Sequence, residues 1–231
     1  DDIIRTSKDA LDVAAVIDGG EGLDILELAG PIGAAQFLID NIETIALTGP
    51  DSQLLFSSKA ASEVELVIVE STNADGVYNF IELGERTFEV VSSGNAAGTL
   101  RADNSGELIV GIEASDETAS TSKLDIFARE ASRVDIRIAD GVGYSGEVVA
   151  ESAQTVTLSG GTAGASGDFL DIIANKGNVS TVDIDLSDTS FLSLDVGSED
   201  APLELLSVAA DASLSIDPNS AIFASEVSIS G

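Results

Sequence analysis

The sequence predicts an all-β protein, a right-handed parallel β-solenoid of about 22–26 residues per coil, with a β-sandwich as the alternative. Three observations carry this expectation: a period-two apolar alternation that keeps returning, a regular spacing between its copies, and a composition suited to a narrow core. Aromatic residues make up 4% of the 231-residue chain, while Val, Ile, Leu, Ala and Gly abound.

The alternation appears as Ile42-Glu43-Thr44-Ile45-Ala46-Leu47, Val64-Glu65-Leu66-Val67-Ile68-Val69 and Phe88-Glu89-Val90-Val91. It returns at Leu108-Ile109-Val110-Gly111-Ile112, Val134-Asp135-Ile136-Arg137-Ile138 and Val156-Thr157-Leu158. Val182-Asp183-Ile184-Asp185-Leu186, Leu205-Leu206-Ser207-Val208 and Val227-Ser228-Ile229 complete the series. Alternate side chains of a strand point to opposite faces, so this period in β-branched residues, bounded by Ser, Gly, Asn and Asp, reads as half-buried strands. Val134 to Val156 to Val182, and Leu205 to Val227, are steps of one length class, that of repeat architectures. Secondary runs fall between them, at Leu124–Phe127, Val148–Val149, Leu170–Ile173 and Leu192–Leu194. Each period therefore holds two short strands and two polar turns, one solenoid coil. The irregular spacing keeps the sandwich open.

Two segments read otherwise. Ser7–Val16 has a capping serine and a plausible apolar helix face, and Pro31–Ile39 suits a second short helix or turn. The expected organisation is an N-terminal cap region over 1–40, containing a calcium-type turn, then a repeat domain over 41–231, or both as one continuous domain. The chain starts on Asp and breaks off in strand-like Val227–Gly231, the pattern of an excerpt.

Charge narrows the function classes. With 41 acidic and 10 basic side chains the net charge is −31, which repels nucleic acid and anionic lipid surfaces. The same charge repels itself, so high salt or carboxylate-bound divalent cations must offset it. The absence of Cys and His removes disulfides, thiolate or imidazole zinc sites and histidine acid–base catalysis. No run approaches the roughly 18 apolar residues of a membrane span.

One motif carries chemistry. Gly19-Gly20-Glu21-Gly22-Leu23-Asp24-Ile25-Leu26-Glu27 fits the calcium nonapeptide G-G-x-G-x-D-x-U-x at every specified position. Glycines permit a tight turn that converges carbonyl oxygens, and the Asp adds a hard anionic oxygen that suits Ca²⁺. Gly160-Gly161, followed by Gly164, Asp168 and Asp171, forms a degenerate second candidate with an insertion. The metal-ligating set expected is thus Gly19, Gly20, Gly22, Asp24, Gly160, Gly161, Asp168 and Asp171. Asn73–Gly76 and Asp140–Gly143 are weaker candidates, and for all four an ordinary β-turn is the competing reading. Gly141–Gly146 lacks the following helix of a phosphate loop. Asp183 and Asp185 share a solvated strand face, and Arg129, Arg133 and Arg137 read as exposed partners for carboxylates.

Asn41-Ile42-Glu43-Thr44-Ile45-Ala46-Leu47-Thr48 resembles a recurring element of proteobacterial surface-layer proteins, of the calcium-dependent Caulobacter and Campylobacter type with RTX-type nonapeptides. Ala153–Gly161 and Ser180–Leu186 are similar in style. The resemblance implies a secreted, cell-surface, calcium-binding structural protein that assembles with itself into a sheet. Cell-surface polysaccharide is a further expected partner. The chain is more acidic and less rich in Thr and Asn than that family, and its calcium motif is not in an array. A calcium-stiffened adhesin or a filament-forming matrix protein therefore stays open. A polysaccharide-acting β-helix enzyme is the remote alternative, disfavoured by the absence of Trp. A non-enzymatic protein is expected.

Overall fold

A computed structural model describes residues 1–7, 16–34, 38–57, 63–70, 76–93, 95–104, 106–114, 121–176 and 179–231. It is an all-β parallel solenoid, built on two ladders that share most of its coils. The first ladder stacks β1 (Ile3–Ser7), β3 (Ile25–Ala34), β5 (Thr44–Ser57), β6 (Leu66–Val69), β8 (Phe88–Ser93) and β10 (Glu107–Glu113). It continues through β12 (Arg133–Tyr144), β14 (Thr155–Ala163), β16 (Thr181–Leu186), β18 (Leu203–Ala210) and β21 (Ala224–Ser230). The second ladder starts in the far halves of β3 and β5 and runs through β7 (Val77–Gly84), β9 (Ala97–Asn104) and β11 (Thr121–Phe127). β13 (Glu147–Val149), β15 (Leu170–Ala174), β17 (Ser190–Val196), β19 (Leu214–Ile216) and β20 (Ala221–Ile222) complete it. A separate parallel pair joins β2 (Val16–Asp18) to β4 (Leu38–Asp40).

Every strand pair among the described residues is parallel, which excludes the antiparallel sheets of a sandwich. The register pairs Val134 with Val156, and Val156 with Val182, as the spacing predicts. Leu206, rather than Leu205, meets Val227. Coil length also varies more than expected. Ile25 pairs with Thr44, a step shorter than the predicted range, while Leu108 pairs with Val134 at its long end. Strands on both sides of residue 40 belong to one sheet, β3 pairing directly with β5.

Packing explains why the alternation persists. Val134, Val156, Val182 and Leu206 form one inward column, Ile136, Leu158, Ile184 and Val208 the next, and all are buried. Burying each such side chain contributes about 1.5–3 kcal/mol, so a rung with two or three inward residues is held by its neighbours above and below. Outward positions carry Thr157, Asp183 and Ser207. Asp135 is the one strongly buried carboxylate of this face among the described residues, at 7% exposure. Burial pushes its carboxyl up, but hydrogen bonds from Thr157 and Arg137 outweigh that and hold it below the ordinary carboxylate range. Buried Tyr144 donates its hydroxyl to the Leu124 carbonyl at 2.8 Å, a bond between successive coils.

No helix occurs among the described residues. Ser7 closes β1 and Val16 opens β2, while the intervening 8–15 of the expected helix lie outside the described residues. Of the second short helix or turn expected over Pro31–Ile39, the helix is corrected: Pro31–Ala34 belongs to β3 and Leu38–Ile39 to β4, while 35–37 lie outside the described residues. Pro31 sits where the register of β3 against β5 shifts, a bulge that tolerates a missing N–H. Ladder pairing with Gln53 and Leu54 overrides the local helical pattern.

Candidate metal centre

The turn from β2 into β3 is shaped by its glycines. Gly20 and Gly22 have φ of +89° and +136°, conformations that side chains with Cβ rarely adopt. At Gly19 the constraint is contact: a Cβ would lie 2.0 Å from the Asn41 carbonyl oxygen and 2.9 Å from Asp24 Oδ2. Two oxygens from successive coils therefore face its bare α-carbon. Asp24 is 1% exposed. Its Oδ1 accepts the backbone N–H of Asp2, while Oδ2 is buried with no hydrogen-bond partner.

The surrounding backbone is tied to carboxylates of neighbouring coils. Asp24 N–H donates to Glu43 Oε2 at 2.7 Å, and Asn41 N–H donates to Glu63 Oε2 at 2.8 Å. Asn41 takes φ +52°, the left-handed conformation asparagine tolerates best among residues with side chains. Its amide donates to Asp18 Oδ1 at 2.7 Å, and Gly20 N–H donates to the same oxygen at 3.0 Å. The Asn41 bond, then the Gly20 bond, hold the Asp18 carboxyl below its usual value.

A calcium ion fits the donor chemistry here. An orphaned buried carboxylate oxygen costs about 1–3 kcal/mol or more unless something satisfies it, and a hard cation does so directly. Asp24 Oδ2 would hold the ion, and the Asn41 carbonyl, which faces the same bare α-carbon of Gly19, is a further oxygen for it. No group of three or more carboxylates converges on one point among the described residues, so backbone carbonyls and water would supply the other ligands.

The second candidate is dispersed. Gly160 and Gly161 lie in β14, where added Cβ atoms would strike the Ile138 carbonyl oxygen and the Ile138 side chain, each at 2.2 Å. They permit close stacking of coils at a strand bend. Asp168 closes a tight turn by mutual backbone bonds with Ala165, and its exposed carboxylate faces Lys123 Nζ at 3.6 Å. Asp171 is on β15 in register with Glu147, on a different part of the coil. Among the weaker candidates, Asp140–Gly143 is a bend inside β12 with Gly141 at φ +76°, and 71–75 lie outside the described residues. Arg133 and Arg137 meet Glu107 and Asp135 at 3.2 and 2.6 Å, as strand-borne charge partners should.

Sequence reading missed a carboxylate column on the second ladder. Glu147 N–H donates to Asp125 Oδ1 at 3.0 Å, and Glu147 pairs in register with Asp171. The signal was the coil period, since Asp125, Glu147 and Asp171 stand one coil apart in turn. Burial raises the Glu147 carboxyl above its ordinary value, and the charges of Asp125 and then Asp171 push it further, against Arg129. The folded state thus binds this proton more tightly than the unfolded chain, so stability from protonation is present in acid and lost as pH rises through the raised pKa. Glu147→Gln is expected to raise Tm at pH 7 by about 1–2 °C, a gain that vanishes below about pH 4. Thermal melts of both proteins at the two pH values decide it; a lowered Tm at pH 7 would refute the assignment.

No protein-family model, curated protein or solved structure matches the chain.

Proposed function

We propose that the chain is a segment of a secreted, non-enzymatic coat protein that assembles with copies of itself at the cell surface and uses Ca²⁺ to do so. The carrying observation is Asp24: a buried carboxylate oxygen without a partner, beside a glycine turn that fits the nonapeptide, in a chain of charge −31. Self-repulsion opposes both coil stacking and contact between copies, and a divalent cation on carboxylates weakens it at both levels. The parallel solenoid suits such a role because its side faces repeat in register from coil to coil. Outward Thr157, Asp183 and Ser207 stand on consecutive rungs, so equivalent groups recur along the rod.

Millimolar calcium is expected to raise Tm by about 5–10 °C, the shift for a ligand near 100 times its Kd. It should also drive the protein into sheets or fibres, visible by negative-stain microscopy, that EGTA dissolves. Asp24→Asn should lose most of the Tm rise, and magnesium should not replace calcium. A Tm indifferent to calcium, or an equal rise in Asp24→Asn, would remove the metal from the reading. A calcium-stabilised rod that stays monomeric at high concentration would replace the coat by the adhesin alternative.

A further inference from the structure

The cations of this chain are few, which makes their placement informative. Most of those with a described contact sit beside a carboxylate: Arg5 on Glu27, Arg133 on Glu107, Arg137 on Asp135 and Lys176 on Glu151, at 2.6 to 3.2 Å. Arg101 departs from this pattern. Its guanidinium lies 5.6 Å from the centre of the Phe127 ring, and no carboxylate reaches it among the described residues. Arg129 lies 5.7 Å from the same ring. Its contact with Glu151 is 3.9 Å, and Lys176 holds that same carboxylate oxygen at 2.6 Å.

The ladder builds this arrangement. Asn79 on β7, Arg101 on β9 and Phe127 on β11 are register partners on three successive coils, and Arg129 follows Phe127 by two positions. Together with Glu130 and the buried Phe80 they line a cleft of about 470 Å³, within the range of small-ligand sites. Attraction to the ring face, about 0.5–1 kcal/mol each at exposed positions, gathers two like charges that would otherwise repel. An anion between them resolves that repulsion, and planar guanidinium forks match a carboxylate in pairs. The cleft is too roomy for one acidic side chain, and Asn79 adds an amide that both donates and accepts hydrogen bonds, as hydroxyl-bearing ligands require.

We infer that the cleft between β7, β9 and β11 binds a carboxylate-bearing sugar, a uronate unit of an acidic polysaccharide, through Arg101 and Arg129 beside Phe127. This goes beyond calcium-driven assembly and is independent of it. The binding is local: the chain as a whole repels polyanions, so affinity rests on the two arginines and strengthens with moderate salt only as far as screening of that long-range repulsion outweighs weakening of the pairs.

The test is calorimetric titration of the whole chain with trigalacturonate in EGTA, which removes calcium bridging to surface carboxylates. Neutral galactotriose and inorganic phosphate serve as comparison ligands. Trigalacturonate is expected to bind with one site per chain, and Arg101→Gln and Arg129→Gln should each weaken it at least tenfold. Both side chains are exposed, so the variants should keep the wild-type circular dichroism and a Tm within about 4 °C of wild type, the loss of one ring contact. Arg5→Gln, on a distant coil, should leave binding unchanged. Equal binding of galactotriose, equal binding of phosphate, or indifference to both arginine changes would each overturn the inference. So would an absence of sugar binding with a change in sedimentation for Arg101→Gln, which would make the occupant a carboxylate of a second copy.

Discussion

Val182→Asp destabilises the fold by about 4 kcal/mol or more, because it places a charge in a fully buried column that has no polar partner to offer. Val182 on β16 stands between Val156 and Leu206 on the adjoining coils. In a rod each coil touches only the next, so no distant part of the molecule can compensate. The expected result is therefore more than a lowered urea midpoint. The transition should split, with the amides of β18 and β21 losing hydrogen-exchange protection before those of β10 and β12. Asp183→Asn, one residue along on the solvated face, is the matching control and should stay within about 0.5 kcal/mol. A Val182→Asp protein that unfolds in one step near the wild-type midpoint would contradict the stacked-column description.

The second large effect separates two glycines of one turn. Gly164 has φ +67° and Gly167 φ +84°, so alanine at either position meets the backbone penalty of about 1–2 kcal/mol. Their surroundings differ. A Cβ at Gly164 would lie 2.2 Å from the Phe191 carbonyl oxygen on the next coil and 2.9 Å from Leu170 N, whereas nothing lies within 4 Å of one at Gly167. Relief at Gly164 requires moving β17, and that strand is paired with β15 over Leu192–Val196 and with β19 over Ser190–Leu192. Gly164→Ala should cost at least about 2 kcal/mol more than Gly167→Ala, a Tm difference of about 4–8 °C. Asparagine, which accepts the left-handed conformation, should recover most of the loss at 167 and none at 164. Equal melting temperatures for the two alanine variants would show that close approach of coils does not determine the glycine at 164.

What the sequence disclosed, and what it withheld, follows from the geometry of stacking. Strands were legible because every coil repeats the same demand for inward apolar residues, and Val134, Val156 and Val182 could be paired by inspection. Leu205 was placed one residue off because Leu205 and Leu206 are adjacent and only the register shows that Leu206 points inward. The Gly19–Asp24 turn was legible because its residues are contiguous. The Arg101–Phe127–Arg129 cleft and the Asp125–Glu147–Asp171 column were not. They are assembled across coils of unequal length, and one miscounted residue moves a side chain to the opposite face. The helix expected over Pro31–Ile39 rested on local pattern alone, which cannot register that a proline falls at a bulge.

The inter-strand bonds of a stacked parallel ladder point along the rod. Tension applied lengthwise therefore loads a few bonds of the outermost rung rather than the whole sheet at once, and the molecule would yield rung after rung. Each released coil would pay out roughly 60–90 Å of chain, so the same stacking that orders the coils at rest would make the molecule extensible under pull.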